Sequence, residues 1–130
     1  MTDRRAELLR LVEDFTARFN AVDLDGLMSF FAEDAVYEEV NGPVNHGKAA
    51  IRKAFEPLFS GKFGRVQFVG RDCFIDADAG KVMASWDCHL VMDGEPKVLE
   101  GLDCYHFRGD RIVRKLAYCK AKQPRYTDAA

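Results

Sequence analysis

The chain has 130 residues, with 19 Lys and Arg against 21 Asp and Glu and a formal net charge of -2. The two signs are mixed and form no basic stripe, which argues against nucleic acid or an anionic membrane as partner. Hydrophobic residues make up 48% and include ten Phe, enough for one domain to build its own core without disulfide or metal staples.

The first segment, about Arg4 to Val22, spaces Leu8, Leu11, Val12, Phe15, Phe19 and Val22 as one buried stripe on a polar helix. Asp23 is an N-cap for a short second helix carrying Leu24, Leu27, Met28 and Phe31. Glu33-Asp34 ends it, and Ala35 to Val40 reads as a short strand. Asn41-Gly42-Pro43 is a turn by composition. A third helix from about Lys48 to Phe59 puts Ile51, Ala54, Phe55, Leu58 and Phe59 on one side, and Pro57 predicts a kink or an early end.

After Gly61 and Gly64 the period changes from helical to alternating. Arg65 to Ile75 reads as a strand bulged near Gly70, followed by a turn from Asp76 to Gly80. Lys81 to Met92 is the clearest strand, and Asp93-Gly94 is a hairpin signal. Lys97 to Phe107, the turn Arg108-Gly109-Asp110 and Ile112 to about Lys120 complete the pattern before a polar tail, Ala121 to Ala130. This order predicts a single α+β domain over residues 1–130, with its core at about 7–120. A strongly curved, mainly antiparallel sheet would wrap three N-terminal helices into a cone. The open end of such a cone is a natural pocket for a hydrophobic small molecule.

Cys73, Cys88, Cys104 and Cys119 fall on separate strands and form no C-x-x-C pair, so they read as free thiols, with no metal and no disulfide. The N-terminus lacks a signal pattern and no apolar stretch reaches membrane length, which predicts a soluble, cytoplasmic protein.

One residue breaks the pattern. In the strand Val98–Phe107, Leu99, Gly101, Asp103, Tyr105 and Phe107 share a face that is apolar apart from the Asp103 carboxyl. A carboxyl set among Leu, Tyr and Phe must find hydrogen bonds or stay protonated, and such groups mark functional sites. Trp86 lies in the apolar stripe Val82, Ala84, Trp86, Cys88, Leu90, Met92 and reads as core, with a ligand-stacking role open to it in an open cone. Asp87 and His89 lie on the opposite face of that strand, and His106 on the opposite face of its own, so they are assigned to solvent or a dimer interface. His46, before the third helix, is expected in a loop at the pocket mouth.

The chain resembles the nuclear transport factor 2-like superfamily, which shares the cystatin-like cone, and within it the SnoaL-like and ketosteroid isomerase-like branch. The residues that carry the resemblance are Asn20-Ala21-Val22-Asp23-Leu24-Asp25-Gly26-Leu27, Phe31-Ala32-Glu33-Asp34-Ala35-Val36-Tyr37-Glu38-Glu39, Gly47-Lys48-Ala49-Ala50-Ile51-Arg52 and Leu102-Asp103-Cys104-Tyr105-His106-Phe107. The resemblance implies Glu39 as a carboxylate base and Asp103 as a protonated acid donating to an enolate oxygen. Alternation does not choose between Glu38 and Glu39; the family position selects Glu39.

Phe15, Phe31 and Phe55 stand where the isomerase pattern has tyrosines, so the hydroxyls that support its oxyanion site are missing. Tyr37, Tyr105 and Tyr118 are the replacements by location. An Asp-Arg-Asp relay of the kind found in the superfamily's epoxide hydrolases is disfavoured, because Asp87 points outward and no acidic residue accompanies Leu116-Ala117-Tyr118.

The expected function is isomerase-like or cyclase-like acid–base chemistry next to a carbonyl, with no cofactor. Glu39 and Asp103 would be catalytic, and Phe15, Phe31, Tyr37, Phe55, Trp86, Leu90, Tyr105 and Tyr118 would bind the substrate. The competing expectation is a ligand-binding or dimerisation module of the same fold. Either version pairs as a homodimer through the outer sheet face.

Overall fold

The computed structural model describes residues 3–129. Helix α1 (Arg4–Asn20) starts at Asp3, whose carboxylate accepts from the Ala6 amide at 3.2 Å, and buries Leu8, Val12, Phe15 and Phe19 at helical spacing. Helix α2 (Leu24–Met28) is capped by Asp23, which accepts from the Gly26 amide at 2.9 Å. Between them Val22 takes a left-handed φ of 59°, a conformation that a β-branched residue adopts only at a cost.

Strand β1 (Phe31–Glu38) follows, so Phe31 opens a strand and does not close α2 as expected. The turn Asn41-Gly42-Pro43 folds a three-residue strand back on it, β2 (Val44–His46), in antiparallel register with Val36↔His46. Three residues are too short for alternation to register, so the sequence pattern shows no strand here. His46 is therefore an exposed residue of an edge strand, not a loop residue. Helix α3 (Lys48–Phe59) runs its full expected length. Pro57 lies on its exposed side in the last turn, where few backbone hydrogen bonds remain to be lost.

The rest is a meander of β3 (Gln67–Asp76), β4 (Lys81–Met92), β5 (Glu95–Arg108) and β6 (Arg111–Cys119). The last strand returns beside β1 in parallel, which gives one six-stranded curved sheet of order β2-β1-β6-β5-β4-β3. α1 packs on β3, and α3 packs on β1 and β2. Leu8, Leu27, Phe31, Ile51, Val82 and Ile112 are the most completely buried side chains between these layers.

Two register breaks matter for the site. In β3, Gly70 pairs with Trp86 and Cys73 with Ala84, so Arg71 and Asp72 together oppose Ser85. This is the bulge expected near Gly70, and the Asp72 amide donates to the Ser85 hydroxyl across it at 3.0 Å. In β6, Ile112 pairs with Phe107 and Arg114 with His106, leaving Val113 as an extra residue. The side-chain phase of β6 therefore flips after Ile112.

Val22 is about half exposed, so its side chain contributes little packing to offset its backbone strain. Val22→Gly is expected to raise stability by about 1 kcal/mol; an unchanged or lower urea midpoint at constant slope would contradict this.

Candidate active site

A cavity of about 500 Å³ lies between the helices and the concave face of the sheet. Its walls are aromatic: Phe15 and Phe19 from α1, Phe55 from α3, Tyr37 from β1, Trp86 from β4 and Tyr105 from β5. Phe15 meets Tyr105 edge-on at 5.7 Å, and Phe55 stacks flat on Tyr37 with centroids 4.8 Å apart and planes 3° from parallel. Glu13 and Thr16 of α1 and Arg71 and Asp72 of the β3 bulge supply polar groups to its lining.

Asp103 sits in this aromatic enclosure, 4% exposed. Its neighbour across the sheet is Lys115, equally buried, whose ammonium lies 3.1 Å from Oδ1. Oδ2 accepts from the Trp86 indole N–H at 3.0 Å and from the Tyr105 hydroxyl at 3.3 Å. Gly101 makes room for this arrangement: a methyl group there would run into the Trp86 ring and the Tyr118 carbonyl. The Lys115 ammonium also lies 4.6 Å above the Tyr37 ring, a cation–π contact in a desolvated place.

These contacts decide the protonation of the neighbours. Burial works against the Lys115 ammonium, but the Asp103 carboxylate, the Tyr37 oxygen and the hydrogen bond to Asp103 outweigh it and hold the group above the ordinary lysine value. Burial, reinforced by Asp103, pushes the Tyr105 hydroxyl well above the usual tyrosine value, so it stays a donor. Burial likewise raises Tyr37. The Cys88 thiol is pushed up to about 11, first by burial and then by Asp103.

The expected residues divide. Asp103, Phe15, Tyr37, Phe55, Trp86, Leu90 and Tyr105 line the cavity. Phe31 does not: it is core, packed edge-on against Phe15. Glu39 does not line the cavity either. It follows the end of β1, accepts from the Asn45 amide at 3.0 Å, and borders a separate hollow beside the C-terminal segment. Glu38 is no substitute, since it pairs outside with Arg114 at 3.0 Å.

Tyr118, expected inward, points out and is 55% exposed, because the extra residue Val113 inverts the phase of β6. The same inversion turns Lys115 inward. Strict alternation from Ile112 hides this residue, and only the register break could have revealed it. Where the resemblance implies an Asp103 that donates, its carboxyl oxygens accept from Trp86, Tyr105 and Lys115. Asp87 points outward as expected and pairs with Arg71 at 3.1 Å.

The four cysteines are free thiols. Among the described residues no cluster of His, Cys, Asp or Glu has the makings of a metal site, and no helix is long and apolar enough to cross a membrane.

The family model of the SnoaL-like domain matches residues 12–115, a stretch that contains the whole Asp103 cluster. The chain belongs to the SnoaL-like domain family. Among curated proteins none matches it. Solved structures share the SnoaL-like cone at low identity. One is a Xanthomonas campestris pv. campestris protein whose assignment as a polyketide cyclase is itself provisional. It is 24% identical, with a TM-score of 0.78 over 89% of this chain and 92% of that one. Bal32a, from a soil-derived mobile gene cassette, is 18% identical with a TM-score of 0.79 over 90% and 92%. TerC, crystallised with polyporic acid, is 16% identical with a TM-score of 0.75 over 88% and 92%. At these identities the likeness speaks for the SnoaL-like fold alone.

Removing either partner of a buried pair strands the other. Asp103→Asn and Lys115→Met are each expected to cost about 3–5 kcal/mol in urea unfolding. The double variant should cost clearly less than the sum, and additive losses would show that the two groups do not interact.

The pair also sets an alkaline limit. A group held above its unfolded value stabilises fully below that unfolded value and loses the contribution as pH climbs through the folded one. Stability attributable to Lys115 should therefore hold through neutral pH and fall only above the ordinary lysine range. A loss already near neutrality in wild type, absent from Lys115→Met, would contradict this.

Proposed function

We propose that this SnoaL-like protein moves a proton next to a carbonyl of a hydrophobic small molecule, and that Asp103 is the group that takes it. One observation carries the reading: of the three carboxylates on the cavity lining, Glu13, Asp72 and Asp103, only Asp103 is buried, and it stands among aromatic walls. A carboxylate removed from water and positioned by hydrogen bonds is a competent base toward an already acidic carbon. The reaction needs no electron carrier. Isomerisation of an unsaturated ketone and aldol-type ring closure both begin with this step, and the provisional cyclase assignment of the Xanthomonas neighbour favours the second.

Glu39 has no part in this reading, since it lies off the cavity. The partner proposed for the outer sheet face is a second copy of the chain, supported by Phe74, Met83 and Tyr118 standing exposed there.

A second reading, ligand binding without catalysis, is favoured by the commitment of Asp103 to three donors, which occupies most of its accepting capacity. Hydrogen–deuterium exchange at the α-carbon separates the two. With hydrophobic ketones in heavy water, the wild type should accelerate exchange, and Asp103→Asn, checked for folding by circular dichroism, should lose about a hundredfold or more. Trp86 is the single tryptophan, and its indole donates to Asp103, so its emission reports occupancy independently. Ketones that quench Trp86 but never exchange would leave the binding reading standing and remove the catalytic one.

A further inference from the structure

We propose that Lys115 and Tyr37 form the anion-receiving end of the cavity, taking the oxygen of a planar enolate or phenolate as Asp103 takes its proton. The inference rests on the acid–base reading and adds where the developing charge goes.

Lys115 has donors to spare. An ammonium carries three N–H groups; one serves Asp103, and the others have the ring faces of Tyr37 and Phe55 beside them, weak partners that a ligand oxygen in the cavity it lines can displace. Tyr37 is the second donor. Its side chain is buried with 7% exposure, and none of the described residues hydrogen-bonds its hydroxyl. Among the described residues no fully buried side-chain nitrogen or oxygen is left without a partner, so this hydroxyl meets open space, and Tyr37 lines the cavity. Lys115 and Tyr37 are direct neighbours across the β1–β6 ladder, which aims both at the same place. The flat Tyr37–Phe55 stack beside them suits a planar ligand.

The charges balance at every stage. Before reaction the Asp103 carboxylate and the Lys115 ammonium sum to zero. When the α C–H bond breaks, its proton goes to Asp103 and its electron pair forms the enolate, placing the negative charge on the carbonyl oxygen. Lys115 keeps its positive charge and exchanges one anion for the other. No net charge is created inside an apolar cavity, where it would be costly. A phenol mimics this step, its O–H proton passing to Asp103 while the phenolate oxygen meets Lys115 and Tyr37.

The test uses the full chain with 4-nitrophenol, whose anion has its own absorption band, and 4-nitroanisole, which cannot ionise. Bound 4-nitrophenol should show the phenolate band at a pH below its solution pKa. Tyr37→Phe should weaken 4-nitrophenol about tenfold, the effect of losing one hydrogen bond to a charged group, and leave 4-nitroanisole unchanged. Lys115→Met should abolish the band. Because that variant strands Asp103 and is expected to be unstable, Tyr37→Phe decides the matter by itself.

Absence of 4-nitrophenol binding, binding only in the neutral form, or an affinity indifferent to Tyr37→Phe would each overturn the proposal. Ketone exchange that persists alongside such a result would leave the acid–base reading intact. A phenolate site without any ketone exchange would do the reverse.

Discussion

The fold is organised around a buried ion pair. Asp103 of β5 and Lys115 of β6, each about 5% exposed, meet diagonally across the ladder in a cavity lined mainly by aliphatic and aromatic side chains. Neither group is tolerable there alone, since an isolated charge in such a place shifts its protonation or drags in water. Every neighbour in contact with the pair helps it. Trp86 and Tyr105 donate to the free oxygen of Asp103, and Tyr37 and Phe55 offer ring faces to the ammonium. The strands that carry these residues must keep their relative register for the cluster to exist, so the pair and the sheet specify each other.

The aromatic shell has a second role. Phe15 and Phe55 line the cavity, whereas Phe31 belongs to the core beside them. The buried polar groups of the cavity come from the sheet, while α1 adds Glu13, Thr16 and Asn20 to its lining. Asp103, Tyr105, Lys115, Tyr37 and the Trp86 N–H all belong to strands. Strand ladders fix the relative positions of these side chains, which would favour the donor geometry that the proposed proton transfer needs.

Much of this is legible in the chain. The face argument places Asp103 among Leu99, Tyr105 and Phe107, and burial agrees. α3 and β4 have the expected bounds, because twelve residues of clean periodicity outweigh end effects. The failures at Lys115 and Tyr118 share one cause. Alternation carries phase but no warning of an inserted residue, and Val113 shifts β6 by one. That single residue exchanges Tyr118 for Lys115 on the inner face. Without Lys115 the carboxyl has no visible counter-charge, and a neutral acid becomes the natural expectation for Asp103. Glu39 fails differently: it stands just past the end of β1, where the backbone turns toward Pro43 and strand parity no longer governs the side chain.

A buried ion pair is a poor device for stability. Replacing such a pair with apolar residues of similar volume is often neutral or favourable, because desolvating two charges offsets most of their attraction. A core with ten Phe has no shortage of apolar alternatives. Structural need therefore does not explain why the cavity keeps a carboxylate and an ammonium in contact. The proton transfer proposed above would: a carboxylate on the cavity wall could take a proton, and the fixed cation beside it would meet the negative charge wherever that charge moved next. The cost of desolvating the ammonium is met once, on folding, when it is paired with Asp103, and need not be met again when the charge passes to a substrate. On that proposal the pair is charge stored in position for a reaction, with Trp86 and Tyr105 keeping the carboxyl aligned.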